Sequence, residues 1–201
     1  MIEFPDGVRL VLASASPRRS DLLGSVGLDF DVIPADIDET VADGESPLEY
    51  VARLSREKAA TVVEMMPTGS IVVAADTTVD VDGQILEKPT DDADARRMLR
   101  LLSGRAHLVH TGVTVVGPGG DGAGEDRRTV VVETAVTVVE LGDAEIDWYL
   151  ATGEHVGKAG AYGIQGAAGV FVERIDGSVT NVIGLPLAET VAMLRSATGI
   201  G

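Results

Sequence analysis

The run Ile71-Val-Val-Ala-Ala75 is apolar at every position and stops at Asp76. A strand apolar on both faces is one covered on both sides, so the segment reads as a buried strand. Ligands of α/β proteins gather at the carboxyl ends of strands, and a carboxylate there can hold a divalent cation or act as a general base. A turn aspartate that caps nearby N–H groups is the plainer alternative for the same residue.

Strands and helices alternate around this run. Arg9–Ser14 reads as a strand, and Pro17 directly after it opens a helix over Arg18–Gly24. Phe30–Ile33 is a short strand leading into the acidic stretch Asp36–Glu39. Ser46-Pro-Leu-Glu49 is a strong helix start, with Ser as cap, Pro at the first position and Glu three residues on. That helix should reach about Met66, where Pro67 stops it. Val79–Leu86 reads as a hairpin turned at Asp82-Gly83. Thr90-Asp-Asp-Ala93 opens a further helix with acids at its positive end, closing at Ser103-Gly104. Two β-rich runs, Leu108–Val116 and Thr129–Val139, are followed by a helix over Asp143–Ala151, a strand over Val170–Ile175 and a last helix from Pro186 to about Ser196. The hairpins make the sheet mixed rather than purely parallel. No linker interrupts the chain, so residues 1–201 read as one domain. Gly117-Pro-Gly-Gly-Asp-Gly122 has the spacing G-x-G-x-x-G but continues into a strand, whereas a dinucleotide loop must open a helix; it reads as a hairpin loop.

Charge narrows the function classes. Asp and Glu number 32 against 16 Lys and Arg, a net charge of −16. Phosphate backbones demand clustered cations, so nucleic acid is excluded as a partner. Such an acidic excess suggests a cytoplasm of high salt, where screening weakens self-repulsion. There is no cysteine, hence neither a disulfide nor a thiolate metal site. No apolar run approaches the ~18 residues of a membrane span, and the acidic start Met1–Asp6 lacks the basic region of a secretory signal. The expectation is a soluble cytoplasmic protein.

Lysine is scarce: only Lys58, Lys88 and Lys158 occur, each in a segment with other chemical features. Lys58 falls in the apolar stripe Leu48, Val51, Ala52, Leu54, Ala59, Val62, Met66 of its helix, so its charge must snorkel out or enter a polar cleft. Lys88, in Glu87-Lys-Pro-Thr90, lies one hairpin beyond Asp76. Lys158 sits in Gly157–Gly169, where glycine recurs every third residue, either to let backbone approach a ligand, with Tyr162 and Gln165 as further polar side chains, or simply as a flexible loop. Ser14-Ala-Ser-Pro-Arg-Arg19 carries a strand end into a helix, whose N-terminus attracts phosphate; Ser14, Ser16 and Arg18 would complete an anion pocket, or the segment is an ordinary cap with two surface arginines. His107, His110 and His155 lack ligand spacing and read as structural or surface residues.

Together, Ser14-x-Ser-Pro-Arg-Arg19, Lys58, Ala75-Asp-Thr77, Lys88-Pro89 and Ala161-Tyr-Gly-Ile-Gln-Gly166 resemble the Maf family of septum-formation-inhibitor-like nucleotide pyrophosphatases. The resemblance spans nearly the whole chain and implies an inosine-triphosphatase-like α/β fold, an elongated mixed sheet with flanking helices and a cleft between two lobes. It implies hydrolysis of a nucleoside triphosphate to the monophosphate and pyrophosphate, a divalent metal (Mg or Mn) and commonly a homodimer. By matching position, Asp76 is the proton acceptor. Arg18, Thr77 and Gln165 are tied to choice of base. Lys58 and Lys88 lie near the phosphates, with Ser14, Ser16 and Arg19 binding substrate. Asp-Thr with AYGIQG is similar to the branch preferring dTTP and UTP. Three departures stand out: Asp38 where Glu is common in the acidic site, Glu87 in place of a glycine before Lys-Pro, and a long acidic loop over 117–128.

The mechanism expected from this resemblance has metal on Asp76 with Asp38 or Glu39, and a water set against the α-phosphorus. Lys58, Lys88 and Arg18 would offset charge on phosphate oxygens. The alternative is a nucleotide-sensing regulator of cell division with little catalysis, using the same pocket.

Overall fold

The computed structural model describes residues 4, 7–118 and 127–198. Its strands are β1 (Leu10–Leu12), β2 (Asp31–Val32), β3 (Ile71–Val81), β4 (Gln84–Leu86), β5 (Ala106–Val116), β6 (Arg127–Val138) and β7 (Val172–Asp176). The helices are α1 (Pro17–Ser25), α2 (Pro47–Val63), α3 (Asp92–Leu102), α4 (Asp143–Ala151), α5 (Val179–Ile183) and α6 (Leu187–Ala197). One sheet runs in the order β2-β1-β3-β5-β6-β7, with β4 also on β3. β1 pairs parallel with β2 and β3, and every other pair is antiparallel, so the expected α/β fold with a mixed, helix-flanked sheet is what forms. Among the described residues no helix is long and apolar enough to cross a membrane.

The capping box at Ser46 and Glu49 forms in full, with Pro47 in the first turn, so the start of α2 follows from four residues. The β3–β4 turn is the two residues Asp82 and Gly83, both at positive φ (54° and 84°), as a tight hairpin with right-handed twist requires. On α2, Tyr50 rather than Leu48 joins the core; Leu48 is exposed at 46%. The Leu108–Val116 and Thr129–Val139 runs form β5 and β6; the hairpin loop expected at Gly117–Gly122 falls largely at residues 119–126, outside the described residues.

β3 is longer than the apolar run suggested. It continues unbroken through Asp76, Thr77 and Thr78, so Asp76 is mid-strand, not at a strand end. The strand end at this point belongs to β1, whose pairing with β3 stops at Leu12–Val73. β4 picks up the same edge of β3 only at Leu86–Val79. Among the described residues no strand pairs with residues 74–78 of β3 on that side, while β5 pairs continuously with the other.

Alternation sorts the two faces of this central pair. Val72 and Ala74 face α2, packing with Ala59 and Val62. Ile71, Val73, Ala75, Val113 and Val115 face the other way, packing with Leu23 and Leu194 of α1 and α6. Further along that second face a separate core begins, where Val79, Val81 and Val109 meet α3, α4, Tyr162 and Phe171. Between these two apolar cores lie the polar side chains of Thr77 and Thr111, paired in register. The two cores are the two lobes, and the polar interval is where a cleft opens.

Candidate active site

A cleft of about 430 Å³ lies against the open edge of β3. Its lining draws on the β1–α1 junction (residues 13–19), Glu39, Lys58 of α2, Asp76 and Thr77, Lys88, the segment 157–165 and residues 182–184. Every cationic residue proposed from sequence is there: Arg18, Arg19, Lys58, Lys88 and Lys158, against two carboxylates, Glu39 and Asp76. A protein of net charge −16 thus concentrates positive charge at one concave place, which marks the cleft as a receptor for an anion.

Asp76 and Lys58 meet on the α2 face. Lys58 Nζ donates to Asp76 Oδ1 at 2.6 Å and to Glu39 Oε1 at the same distance. The ammonium at the middle of the α2 apolar stripe therefore points into the cleft rather than snorkelling to bulk water. Lys88 Nζ donates to Glu39 Oε2 at 3.1 Å. Burial raises the Glu39 pKa, but hydrogen bonds and charge from Lys58 and Lys88 outweigh it and hold the carboxyl below its ordinary range. Tyr50 supports this loop from α2, its hydroxyl donating to the Glu39 carbonyl at 3.0 Å, with Glu87 Oε1 as the alternative acceptor for the same proton at 3.4 Å. Glu87, the departure noted before Lys88, thus serves as an acceptor for Tyr50 at the cleft rim.

α2 can lie this close because β5 carries Gly112 opposite Asp76. A Cβ at Gly112 would sit 2.6 Å from the Val51 carbonyl carbon, far inside contact distance. The same close approach brings Lys58, two turns along the helix, within reach of β3.

Thr77 faces the opposite side. Arg19 crosses from α1, donating from Nε to the Gly184 carbonyl at 2.7 Å, from Nη1 to Ser14 Oγ at 3.1 Å and from Nη2 to Thr77 Oγ1 at 3.0 Å. These are neutral acceptors. Burial lowers the Arg19 pKa, an effect countered by Asp76 and reinforced by Arg18. Burial likewise lowers Lys158, with Arg18 nearby adding to it, while Lys158 Nζ donates to the Glu154 carbonyl. Ser16 caps α1 without a side-chain hydrogen bond, so the positive helix end faces the cleft uncapped.

The glycine-rich segment wraps the second lobe in short turns rather than an open loop. Gly160, at φ 66°, lies so close to Val79 that a Cβ would meet its methyl at 2.8 Å. The glycine there serves protein packing, and it lets Tyr162, Ile164 and Gln165 line the cleft. With Val79, Val109 and Val182, Tyr162 and Ile164 form its apolar wall, and Gln165 adds a polar amide beside it.

Asp38 does not join this constellation. It is exposed, absent from the cleft lining, and its Oδ1 accepts from Thr40 N at 2.9 Å and Thr40 Oγ1 at 2.6 Å. Adjacent residues in an extended stretch diverge, so only Glu39 of the acidic pair turns inward. Among the described residues no three Asp, Glu, His or Cys side chains gather as a metal group.

Sequence reasoning missed α5 and with it Asn181 and Thr111. Thr111 Oγ1 donates to the Asn181 carbonyl at 3.0 Å and bonds the Thr77 hydroxyl at 2.9 Å. Ser178, which caps α5 by accepting from Asn181 N, was the available signal. The histidines pair within the fold: His107 with Tyr162, His110 with Asp80 and His155 with Asp92.

A family profile described as Maf-like protein matches residues 9–197. A dTTP/UTP pyrophosphatase of Anaeromyxobacter dehalogenans (strain 2CP-C) is 56% identical over 189 residues, 94% of each chain. One of that name from Myxococcus xanthus (strain DK1622) is 50% identical, covering 96% of this chain and 94% of its own. Among solved structures, the Ham1 protein of Staphylococcus aureus covers 64% of this chain and 72% of its own at 17% identity, with a TM-score of 0.42. With a match over almost its whole length and relatives at half identity or more, this chain belongs to the Maf-like protein family.

Proposed function

We propose that this protein hydrolyses dTTP and UTP to the nucleoside monophosphate and pyrophosphate. The observation that carries the reading is the buried Lys58 held between Asp76 and Glu39 at the open edge of β3, inside a cleft with cations on one side and an apolar wall on the other. A triphosphate needs the first and a pyrimidine ring the second. The names of the relatives favour the same substrates.

In this reading the base lies against Val79, Val109, Val182, Tyr162 and Ile164, and the Gln165 amide, both donor and acceptor, meets its polar edge. Lys88, Lys158, Arg18 and the uncapped end of α1 receive the phosphates. Asp76 takes the proton of a water that attacks the α-phosphorus; the bond from α-phosphorus to the bridging oxygen breaks, and pyrophosphate leaves with the charge offset by Lys58 and Lys88. Lys58 fixes the Asp76 carboxylate through Oδ1. Asp76 and Glu39 suit a divalent ion such as Mg or Mn, which binds through one or two carboxylates and phosphate oxygens rather than a protein cage. When bound, that ion would supply charge neutralisation of the phosphates. A homodimer, implied by the family resemblance, and the cytoplasmic location expected from the sequence belong to the same reading.

Purified protein with Mg or Mn, offered each canonical and modified triphosphate in turn, tests it through pyrophosphate release. Preference for a purine or methylated guanine substrate overturns the choice of base. Binding of dTTP without turnover would favour the alternative, a nucleotide-sensing regulator of division built on the same cleft.

A further inference from the structure

The hydroxyl of Thr77 heads a one-way chain of hydrogen bonds that runs from the cleft into the protein. Arg19 Nη2 donates to Thr77 Oγ1 at 3.0 Å, the Thr77 and Thr111 hydroxyls lie 2.9 Å apart, and Thr111 Oγ1 donates to the Asn181 carbonyl at 3.0 Å. A hydroxyl has one proton and a carbonyl only accepts. With the Thr111 proton on Asn181, the bond between the threonines is donated by Thr77. The other acceptor within reach of Thr77, the Gly184 carbonyl, is 3.5 Å away and already takes Arg19 Nε at 2.7 Å. That contact is too long, and its acceptor too occupied, to compete with Thr111 for the proton.

The far end of the chain is fixed. Asn181 and Thr111 are fully buried. Asn181 Nδ2 donates to the Val109 carbonyl and to Thr134 Oγ1, each at 3.0 Å, which holds the Asn181 backbone beside β5. Thr111 is not in the cleft lining, whereas Thr77, Val109 and Val182 are.

We propose that Thr111 is a specificity-positioning residue: by taking the Thr77 proton it makes Thr77 an acceptor only. A ligand against the apolar wall must then bring a donor to that point. The imide N3–H of thymine and uracil is such a donor, while the same ring position of cytosine is a lone pair and is repelled. The inference rests on the cleft being a pyrimidine triphosphate site, as argued above.

The test is the ratio of kcat/KM for UTP over CTP in wild type, Thr111→Val, Thr111→Ala and Thr111→Ser, read by pyrophosphate release, with circular dichroism to confirm folding. Deleting the Thr111 hydroxyl leaves the Thr77 proton only the 3.5 Å contact to the Gly184 carbonyl, already taken by Arg19 Nε, so the proton can turn to a ligand in the cleft. The ratio should fall roughly tenfold in the Val and Ala variants, through a higher KM for UTP and a lower one for CTP with kcat for UTP little changed. Thr111→Ser should restore it. The Ala variant keeps the ratio readable should Val not fold. An unchanged ratio in either folded variant, or an equal loss in Thr111→Ser, overturns the proposal. A wild type that releases no pyrophosphate from UTP or dTTP sinks the pyrimidine reading itself, so the two failures are distinct.

Discussion

Lys58 of α2 and Asp76 of β3 are joined by a buried hydrogen bond of 2.6 Å, although one comes from a helix stripe that should be apolar and the other from mid-strand. Each is the reason the other is tolerated in the interior. Glu39 shares the same ammonium at 2.6 Å, so three elements converge on one nitrogen.

Asp76→Asn keeps an oxygen acceptor for Lys58 but removes the base. Turnover of dTTP should fall about 10³-fold, with the thermal transition moved by no more than a few degrees. Pyrophosphate release and a melting curve check both parts. Near-normal turnover would mean that another group takes the proton.

Lys58→Met leaves Asp76, at 7% exposure, without its hydrogen-bonded counter-charge, with only the more distant Arg19 guanidinium opposing it. Removing one partner of a buried pair typically costs about 3 kcal/mol, and urea denaturation should show a loss of that order. Glu39, whose side chain is 38% exposed, contributes less. Adding Asp76→Asn to Lys58→Met should recover part of the lost stability, because the orphaned charge goes with it. An additive double mutant would show that the two residues are not coupled.

Gly112→Ala should damage the site without touching it. The new Cβ collides with the Val51 backbone, which cannot swing aside as a side chain could. We expect a destabilisation of about 3 kcal/mol and a fall in kcat larger than any rise in KM, since α2 carries Lys58 away from Asp76. Unfolding midpoints and steady-state kinetics are the measurements, and wild-type values for both would contradict the close approach.

His107 makes stability depend on pH. Burial, with Arg105 nearby, pushes its pKa down to about 4, whereas an unfolded chain titrates near ~6.5. Between those values the unfolded state binds a proton that the folded state refuses. The contribution is complete above the unfolded value and is lost as pH falls towards the folded one. The unfolding free energy from urea titration should fall less between pH 7 and pH 4.5 in His107→Gln than in wild type, by about 2 kcal/mol. Equal falls would show that the imidazole protonates without cost.

Much of this was legible residue by residue. Ser46, Pro47 and Glu49 specify a helix start through local hydrogen bonds, and Asp82-Gly83 specifies a turn through φ. Both are decided within four residues, so they can be read without the fold. The inward-pointing Lys58 was legible because a lysine in an apolar stripe has few other options. The span of β3 was not legible, because Asp76-Thr-Thr78 in a central strand is acceptable only where the neighbouring strand has ended, and that depends on β1. α5 was missed because Val179, Thr180, Val182 and Ile183 are β-branched and favour strands; tertiary bonds from Asn181 hold the helix. The choice between Asp38 and Glu39 depends on which way one backbone turn faces, and composition carries no trace of it.

Five cations set in the cleft of a chain with net charge −16 create two opposed fields. At low ionic strength an incoming triphosphate meets the repulsion of the whole acidic surface before it feels the pocket. Near ~0.15 M salt the Debye length shrinks to about 8 Å, which removes the distant barrier while leaving short contacts in the cleft largely intact. Capture of nucleotide should therefore speed up as salt is first added and slow down only when screening reaches the contacts themselves. A cleft set in a surface that attracts its substrate gives the opposite first response, so here the surrounding electrolyte acts as a gate on encounter.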